Sequence, residues 1–251
     1  MCAVHSGIAA QPGRGQATAS VVECVRADEW LATLSHELRS PLTTILYALE
    51  SISGTHDLDS SARRACHVAE RQAQKAMQLV EDLFDVCASS QGKLSIRKKL
   101  VDLATIVAGA TETVRPLLAR RGHRLTVALQ PKVVTLHADP LRLEQVLTNL
   151  LSNAAKFTNS GGHIRLTAEV EAGHVILRVR DDGCGIARDL LPRMFDLFQQ
   201  GLHSGDRVTG GLGIGLALVK SLVELHGGSV AASSAGPGTG AEFVVRLPLP
   251  E

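Results

Sequence analysis

Apolar residues recur every three or four positions over residues 31–52 and again over residues 62–87. This spacing is typical of the apolar stripe of an amphipathic helix. The polar segment Gly54-Thr55-His56-Asp57 separates the two stretches, so the pattern predicts two long helices joined by a short turn, which is a helical hairpin. Residues 1–24 show no periodicity and are rich in small and polar residues, which predicts a disordered lead-in.

The hairpin has two apolar stripes and cannot bury both of them within itself. Pairing with a second copy, to make a dimeric four-helix bundle, buries both stripes with the fewest assumptions. The patterning therefore predicts a homodimer. The alternative is a monomer whose stripes pack against a second domain of the same chain.

From about residue 96 the pattern changes to a mixture of helical and alternating segments, with glycine-rich turns between them. We expect three helices, over residues 102–120, 140–157 and 213–225, and six strands, over residues 124–129, 133–137, 164–170, 174–180, 229–233 and 242–247. This order of elements predicts a two-layer α/β sandwich. The fold class is then α+β, with a lead-in over 1–24, a helical hairpin over 25–95 and a sandwich domain over 96–251.

Composition narrows the classes of function. The 26 Lys and Arg residues nearly balance the 25 Asp and Glu residues, so no basic excess predicts a nucleic-acid partner. No apolar run approaches the roughly 20 residues of a membrane span, and the first residues lack the features of a signal peptide, which favours a cytoplasmic protein. The five cysteines include no CxxC pair, which argues against a zinc site.

His36 lies on the first predicted helix, two positions from both Leu34 and Leu38. Two positions correspond to a rotation of about 200° around a helix, so the imidazole faces away from the apolar stripe. An exposed imidazole is partly neutral near pH 7 and can accept a phosphoryl group. The neighbouring Glu37 is a candidate acid/base for the ring proton.

Three groups of polar residues and glycines favour nucleotide binding. Asn149, Asn153 and Lys156 share one face of the helix predicted over 140–157, where carboxamide oxygens suit Mg²⁺ and an ammonium suits phosphate. Asp181 ends a predicted strand and precedes two glycines, an arrangement suited to hydrogen bonding an exocyclic amine such as that of adenine. The two glycines are Gly183 and Gly185. A third group, Gly211, Gly213 and Gly215, lies at a predicted helix start, where backbone amides suit phosphates.

Six segments occur in the order SHELRSPL, NLLSNAAKFT, DDGCGI, FDLF, GGLGIGLAL and GPGTG. They resemble the H, N, first-glycine, F, second-glycine and third-glycine boxes of the sensor histidine kinases of two-component systems. The resemblance covers residues 26–249. It implies a dimerisation and histidine-phosphotransfer hairpin followed by an ATP-binding domain of the Bergerat (GHKL) type, in an enzyme that uses ATP and Mg²⁺.

The same resemblance implies a role for each candidate residue. His36 corresponds to the phospho-acceptor and Glu37 to its acid/base neighbour. Asn153 corresponds to the Mg²⁺ ligand, with Asn149 and Lys156 near the phosphates. Asp181 corresponds to the carboxylate that reads adenine, with Gly183 and Gly185 beside it. Gly211, Gly213 and Gly215 correspond to the phosphate-side hinge of a lid.

The resemblance also implies partners and a reaction. The partners are a second copy of the chain, a response-regulator receiver domain that accepts the phosphoryl group on an aspartate, and an input module that senses the signal. ATPases that resemble this fold carry a glutamate four residues before the metal-binding Asn to activate water. Asn149 occupies that position and cannot act as a general base, which favours transfer over hydrolysis. A GHKL-type ATP hydrolase and a non-catalytic nucleotide-binding scaffold stay open as alternatives.

Overall fold

The structure is a computed structural model that describes residues 41–49, 60–90, 93–131, 133–199 and 213–250. Contacts divide the chain into two compact units, Met1–Ala73 and Gln74–Glu251. This division falls inside a long helix, whereas the sequence places the start of the second domain at residue 96, and that boundary stays a prediction. The predicted lead-in over 1–24 and the predicted turn at 54–57 lie outside the described residues.

Both apolar stripes are helical where the structure describes them. Residues 41–49 form part of a helix (α1), and Ser60–Ser90 form α2. Leu42 and Leu49 of the first stripe and Val80 of the second are exposed in the single chain, as are other large apolar side chains of α1 and α2 such as Tyr47 and Phe84. These stripes therefore leave apolar surface available to a partner.

Among the helices that the structure describes, none is both long enough and apolar enough to cross a lipid bilayer.

After α2 the described residues of the second unit form seven strands and three helices in mixed order, with one 3-10 turn at Leu191–Arg193. In chain order they are β1 (Lys99–Asp102), α3 (Leu103–Arg121), β2 (Arg124–Gln130), β3 (Thr135–Ala138), α4 (Pro140–Phe157), β4 (His163–Glu171), β5 (His174–Asp181), α5 (Gly215–Leu225), β6 (Ser229–Ser233) and β7 (Glu242–Pro248). The predicted helices and strands are confirmed to within a few residues at each end. The strand β1 was not predicted.

Aspartates fix the starts of two helices. Asp102 accepts a hydrogen bond from the amide of Ala104 at the start of α3. At α4, Asp139 accepts hydrogen bonds from the amides of Leu141 and Arg142 at 3.1 and 3.3 Å. Pro140 is the first residue of α4, where the missing N–H leaves no intrahelical bond unmade. The sequence therefore specifies the start of the helix that carries the candidate asparagines.

The main sheet has five strands in the order β2-β4-β5-β7-β6. The pair β2–β4 is parallel, and the other neighbours are antiparallel. A separate two-stranded antiparallel sheet joins β1 to β3. With α3, α4 and α5 packed against the main sheet, the unit is the expected two-layer α/β sandwich, and the α+β class is confirmed.

Strand register determines which side chains face the helices. On β5 the residues Val175, Leu177 and Val179 are buried, and Leu177 and Val179 each pair with buried residues of both β4 and β7. Because side chains alternate along a strand, Asp181 continues this inward row at the end of β5. The sheet thus directs a carboxylate toward its helical layer.

The end of α2 contacts the start of α4 through polar side chains. The guanidinium of Arg142 binds Asp85 through both terminal nitrogens, and the Nη2–Oδ1 distance is 2.9 Å. Gln145 Nε2 donates to Asp85 Oδ2 at 3.3 Å and to Asp82 Oδ1 at 3.4 Å. Burial raises the pKa of the Asp82 carboxyl above its ordinary value. These contacts hold the first turns of α4 against α2.

His226 links the end of α5 to the start of α4 from a buried position. Its Nε2 accepts a hydrogen bond from the amide of Asp139 at 3.0 Å, so this nitrogen carries no proton. Nδ1 therefore carries the proton and donates it to the carbonyl of Leu222 at 2.7 Å. Burial lowers the pKa of His226 and the charge of Lys98 adds to this effect, while the Leu222 carbonyl and Asp139 oppose it. The ring is neutral in the folded protein.

We expect the stability of the protein to fall as the pH drops below about 6.5, the ordinary pKa of histidine. Between that pH and the lowered pKa of folded His226, the imidazole binds a proton in the unfolded chain but stays neutral in the folded protein. The free energy of unfolding should then fall by up to about 1.4 kcal/mol per pH unit. Urea unfolding of the wild type and of His226→Gln between pH 7.5 and 5.5 measures this, and the variant should show the flatter profile. Parallel profiles would contradict it.

Candidate functional site

Asp181 is a buried carboxylate at the end of β5, with 6 % of its surface exposed. Its Oδ1 accepts hydrogen bonds from the amide of Gly183 at 2.9 Å and from the amide of Ala241 at 3.3 Å. Among the described residues, both of its hydrogen bonds end on this one oxygen. Burial raises the pKa of the Asp181 carboxyl, and the two amides offset only part of that effect. No described residue donates a hydrogen bond to the second oxygen, Oδ2.

The loop after β5 approaches other backbone segments so closely that no side chain fits. A Cβ on Gly183 would lie less than 3.0 Å from the carbonyl oxygen of Phe157, the last residue of α4. A Cβ on Gly185 would lie equally close to the carbonyl oxygen of Gly236, and Gly185 has a φ of +69°. The sequence signal of two glycines after the strand therefore reflects a steric requirement.

Hydrogen bonds fix this loop on both sides. The Cys184 amide donates to the Phe157 carbonyl at 3.0 Å, which joins the loop to the end of α4. On the other side, the amides of Gly238 and Gly240 donate to the carbonyls of Cys184 and Gly183 at 2.6 and 3.0 Å. The turn at 236–240, whose sequence GPGTG resembles the third-glycine box, therefore borders the Asp181 site.

Asn149, Asn153 and Lys156 lie on one face of α4. Asn153 follows Asn149 by about one turn and Lys156 follows it by about two turns. Asn149 lies beside the start of α5, because a Cβ on Gly215 would be 3.8 Å from the Asn149 amide. The Asn149 Nδ2 atom is buried and has no hydrogen-bond partner among the described residues. Asn153 is half-buried one turn further on. The Lys156 ammonium lies 5.0 Å from the ring centroid of Phe157.

The end of α4 is held by basic side chains at and just after the end of α3. Arg121 Nη1 donates to the carbonyl of Lys156 at 2.9 Å. His123 Nε2 lies 3.0 Å from the carbonyl of Ala155 and donates to it. These bonds satisfy carbonyls that have no partner within the helix. They fix the helix end that contacts the glycine loop.

The start of α5 presents backbone amides that the side chain of its own N-cap residue does not cap. The N-cap residue is Ile214, which has no oxygen to accept from the first amides of the helix. Just before it, Gly213 has a φ of +68°, and its carbonyl accepts a hydrogen bond from the Phe198 amide at 3.0 Å. A helix start of this kind attracts anions through its free N–H groups and its dipole.

The candidate residues fall into two connected clusters and one undescribed group. Asp181, Gly183 and Gly185 form one cluster, and Asn149, Gly213 and Gly215 lie at or beside the start of α5. Helix α4 joins them, since Phe157 contacts the first cluster and Asn149 the second. His36, Glu37 and Gly211 lie outside the described residues.

The sequence did not single out several residues that shape the site. The Phe157 carbonyl and the Ala241 amide act through the backbone, so their residue types carry no signal. Ser234 was also missed, although its hydroxyl bonds the loop after β5. Its only sequence signal is its position just before the glycine-rich turn.

The described residues include no group of three or more His, Cys, Asp and Glu side chains arranged to hold a metal ion. Mg²⁺ in nucleotide sites takes few ligands from protein and the rest from phosphate oxygens and water. One half-buried carboxamide, that of Asn153, on a helix beside uncapped amides fits that requirement. A metal bound by protein side chains alone does not fit.

Two family comparisons match the chain. Residues 138–251 match the family described as "Histidine kinase-, DNA gyrase B-, and HSP90-like ATPase". Residues 26–87 match the "His Kinase A (phospho-acceptor) domain". The second match includes His36, and the first includes every candidate nucleotide-binding residue.

Individual relatives agree with these matches. The chain is 34 % identical over 221 residues to the sensor histidine kinase RcsC of Escherichia coli K12, a match that covers 88 % of this chain and 23 % of RcsC. The chain thus spans about a quarter of the length of that relative. The histidine kinase AdeS of Acinetobacter baumannii is similar in structure, with 25 % identity, a TM-score of 0.64, and coverage of 86 % of this chain and 98 % of AdeS.

A further solved structure is full-length ShkA in complex with AMPPNP, which is 31 % identical. It superposes with a TM-score of 0.66 and covers 88 % of this chain and 46 % of ShkA. The glycine loops, the buried carboxylate and the asparagine face are thus found in a chain that matches both characteristic domains of one family. The chain belongs to the sensor histidine kinases of two-component systems.

Proposed function

We propose that the chain is a protein-histidine kinase that binds Mg-ATP in its second unit and transfers the γ-phosphoryl group to His36. The observation that carries the proposal is the Asp181 carboxylate, buried at the end of β5 with one oxygen held by two amides. The adjoining backbone leaves room only for glycine. Such a site fits a flat base that offers an exocyclic N–H₂ group.

The remaining parts of the nucleotide have matching surroundings. The uncapped amides at the start of α5 and the ammonium of Lys156 suit the phosphates. Asn153 is the proposed metal ligand. Bound Mg²⁺ would neutralise charge on the phosphate oxygens, which is the chemistry that it supplies in phosphoryl transfer.

In the proposed reaction, one ring nitrogen of His36 forms a bond to the γ-phosphorus while the bond to the β–γ bridging oxygen breaks. ADP leaves with that oxygen, and Glu37 takes up or shares the proton of the other ring nitrogen. A second transfer passes the phosphoryl group from His36 to an aspartate of a response regulator.

Transfer is favoured over hydrolysis by the chemistry of Asn149. Its carboxamide lies next to the start of α5, where a water-activating base would act on the phosphates. A carboxamide cannot take a proton from water near neutral pH. The proposed acceptor is therefore the imidazole rather than water.

We further propose that the chain works as a homodimer that receives its signal from an input module. The exposed apolar side chains of α1 and α2 support pairing of two hairpins. The hairpin would extend over residues 25–95 and the catalytic domain over 96–251. A kinase that consumes ATP requires a cytoplasmic supply of the nucleotide, which supports a cytoplasmic location for this part.

The first test uses γ-labelled ATP with the full chain and magnesium. The wild type should gain a protein-bound label that is stable to base and lost in acid, as expected of phosphohistidine. His36→Gln should lose the label entirely, because no acceptor remains. Asn153→Ala should reduce labelling at least about a hundred-fold, because positioning and charge neutralisation supply most of the rate.

The matched control for this test is His67→Gln. His67 is an exposed histidine of α2 that is paired with Glu70 and lies outside the proposed chemistry. It should keep wild-type labelling. Free phosphate released without labelled protein would favour a hydrolase, and ATP binding without either product would favour a scaffold.

The second test concerns nucleotide affinity in Asp181→Asn. The Asn oxygen would stay with the Gly183 and Ala241 amides, so its NH₂ group would face the exocyclic amine, and two donors repel each other. A hydrogen bond to a charged group contributes about 1.5–3 kcal/mol, so ATP affinity should fall about ten- to a hundred-fold. Calorimetric titration with ATP measures this.

Asp189→Asn is the control for that measurement, since Asp189 is an exposed carboxylate in the same part of the chain. It should bind ATP like the wild type. An unchanged affinity in Asp181→Asn would show that this carboxylate does not contact the nucleotide.

A further inference from the structure

Ser234 follows β6 and has a hydroxyl group that is fully used by backbone groups. Its Oγ accepts hydrogen bonds from the amides of Ile186 at 3.0 Å and Gly236 at 3.2 Å. It donates its proton to the carbonyl of Gly240 at 2.7 Å. A hydroxyl offers one donor and two acceptor positions, so this one is saturated.

The partners of Ser234 belong to the two segments that hold the Asp181 carboxylate. Ile186 ends the glycine loop, in which Gly183 donates to Asp181 Oδ1. Gly240 immediately precedes Ala241, which donates to the same oxygen. One hydroxyl thus connects the backbone on both sides of the carboxylate.

The hydrogen bonds of Asp181 depend on the spacing between the loop after β5 and the turn at 236–240. A Cβ on Gly240 would lie less than 3.0 Å from the Asp181 carbonyl oxygen, so the turn packs directly on the end of β5. The bond from Ala241 to Oδ1 is already the longer of the two, at 3.3 Å. A small separation of the turn from the loop would break it and leave the Asp181 carboxylate held by the Gly183 amide alone, so that its orientation is less fixed.

We propose that Ser234 is a positioning residue that sets the orientation of the Asp181 carboxylate and thereby the preference for a purine with an exocyclic amine. Ser234 acts through the loop and the turn and does not touch the nucleotide. This inference rests on the proposed function, because it assumes that Asp181 reads the base.

A purely structural role for Ser234 predicts something different. If the hydroxyl only stabilised the turn, its loss would lower the stability of the protein and weaken all nucleotides alike. A positioning role lowers affinity for ATP and spares a nucleotide that lacks the amine. The ratio of the two affinities separates these roles.

The experiment measures dissociation constants of the full chain for ATP and for purine riboside triphosphate, in which hydrogen replaces the 6-amino group. The wild type should prefer ATP. In Ser234→Ala this preference should shrink at least about five-fold, and Ser234→Thr, which keeps the hydroxyl, should restore most of it. Ser233→Ala alters the exposed neighbouring residue and should keep the wild-type ratio.

An unchanged ratio in Ser234→Ala would overturn the positioning role, whatever happens to the absolute affinities. Should Ser234→Ala fail to fold, Ser234→Cys gives the same test, because a thiol keeps the shape but accepts hydrogen bonds weakly. A wild type that binds ATP without preferring it over the purine analogue would overturn the base reading by Asp181 itself. The wild-type measurement thus distinguishes a failure of the positioning role of Ser234 from a failure of the proposed base recognition by Asp181.

Discussion

The close approach of three backbone segments at the end of β5 is the constraint on which the site depends. The end of α4, the loop at 183–185 and the turn at 236–240 meet with no space for a Cβ on Gly183, Gly185 or Gly240. This packing brings two amides onto one oxygen of Asp181, and these amides offset part of the cost of burying its charge. A larger residue at any of these glycines would separate the segments and leave the carboxylate without its donors.

Helix α4 connects this packing to the proposed phosphate site at the start of α5. Its start is fixed by the Asp139 cap and by contacts with the end of α2, and its last carbonyls are bound by Arg121 and His123. Held at both ends, the helix keeps Asn149 beside the start of α5 and its own terminus against the glycine loop. The proposed base site and the proposed phosphate site therefore share one helix that is held at both ends.

The parts of this fold that local chemistry determines could be predicted from the sequence. Helix α4 was predicted over its full length, because Asp139, Pro140 and the leucine stripe each specify it locally. The place of Asp181 at the end of β5 could be predicted because an alternating strand precedes it and two glycines follow it, and its role in binding a base stays a prediction. Strand β1 was missed because Lys99–Asp102 is short and largely exposed, with no alternation to mark it.

The contacts missed from the sequence join residues far apart along the chain. Ser234 bonds Ile186 across 48 positions, and His226 bonds Asp139 across 87. No local sequence pattern around Ser234 or His226 indicates which residue its side chain bonds. Such pairs are set by strand order and helix packing, which single-chain periodicity does not specify.

The hydrogen bond between the Phe198 amide and the Gly213 carbonyl has a consequence for variation among relatives. The bond fixes Phe198 and Gly213 to each other, so the described fold itself sets the distance between these two positions. Loop-closure entropy grows only logarithmically with the number of residues between two fixed ends, by about 0.6 kcal/mol for each doubling of that number. Relatives can therefore differ in the number of residues between these two positions at little cost in stability.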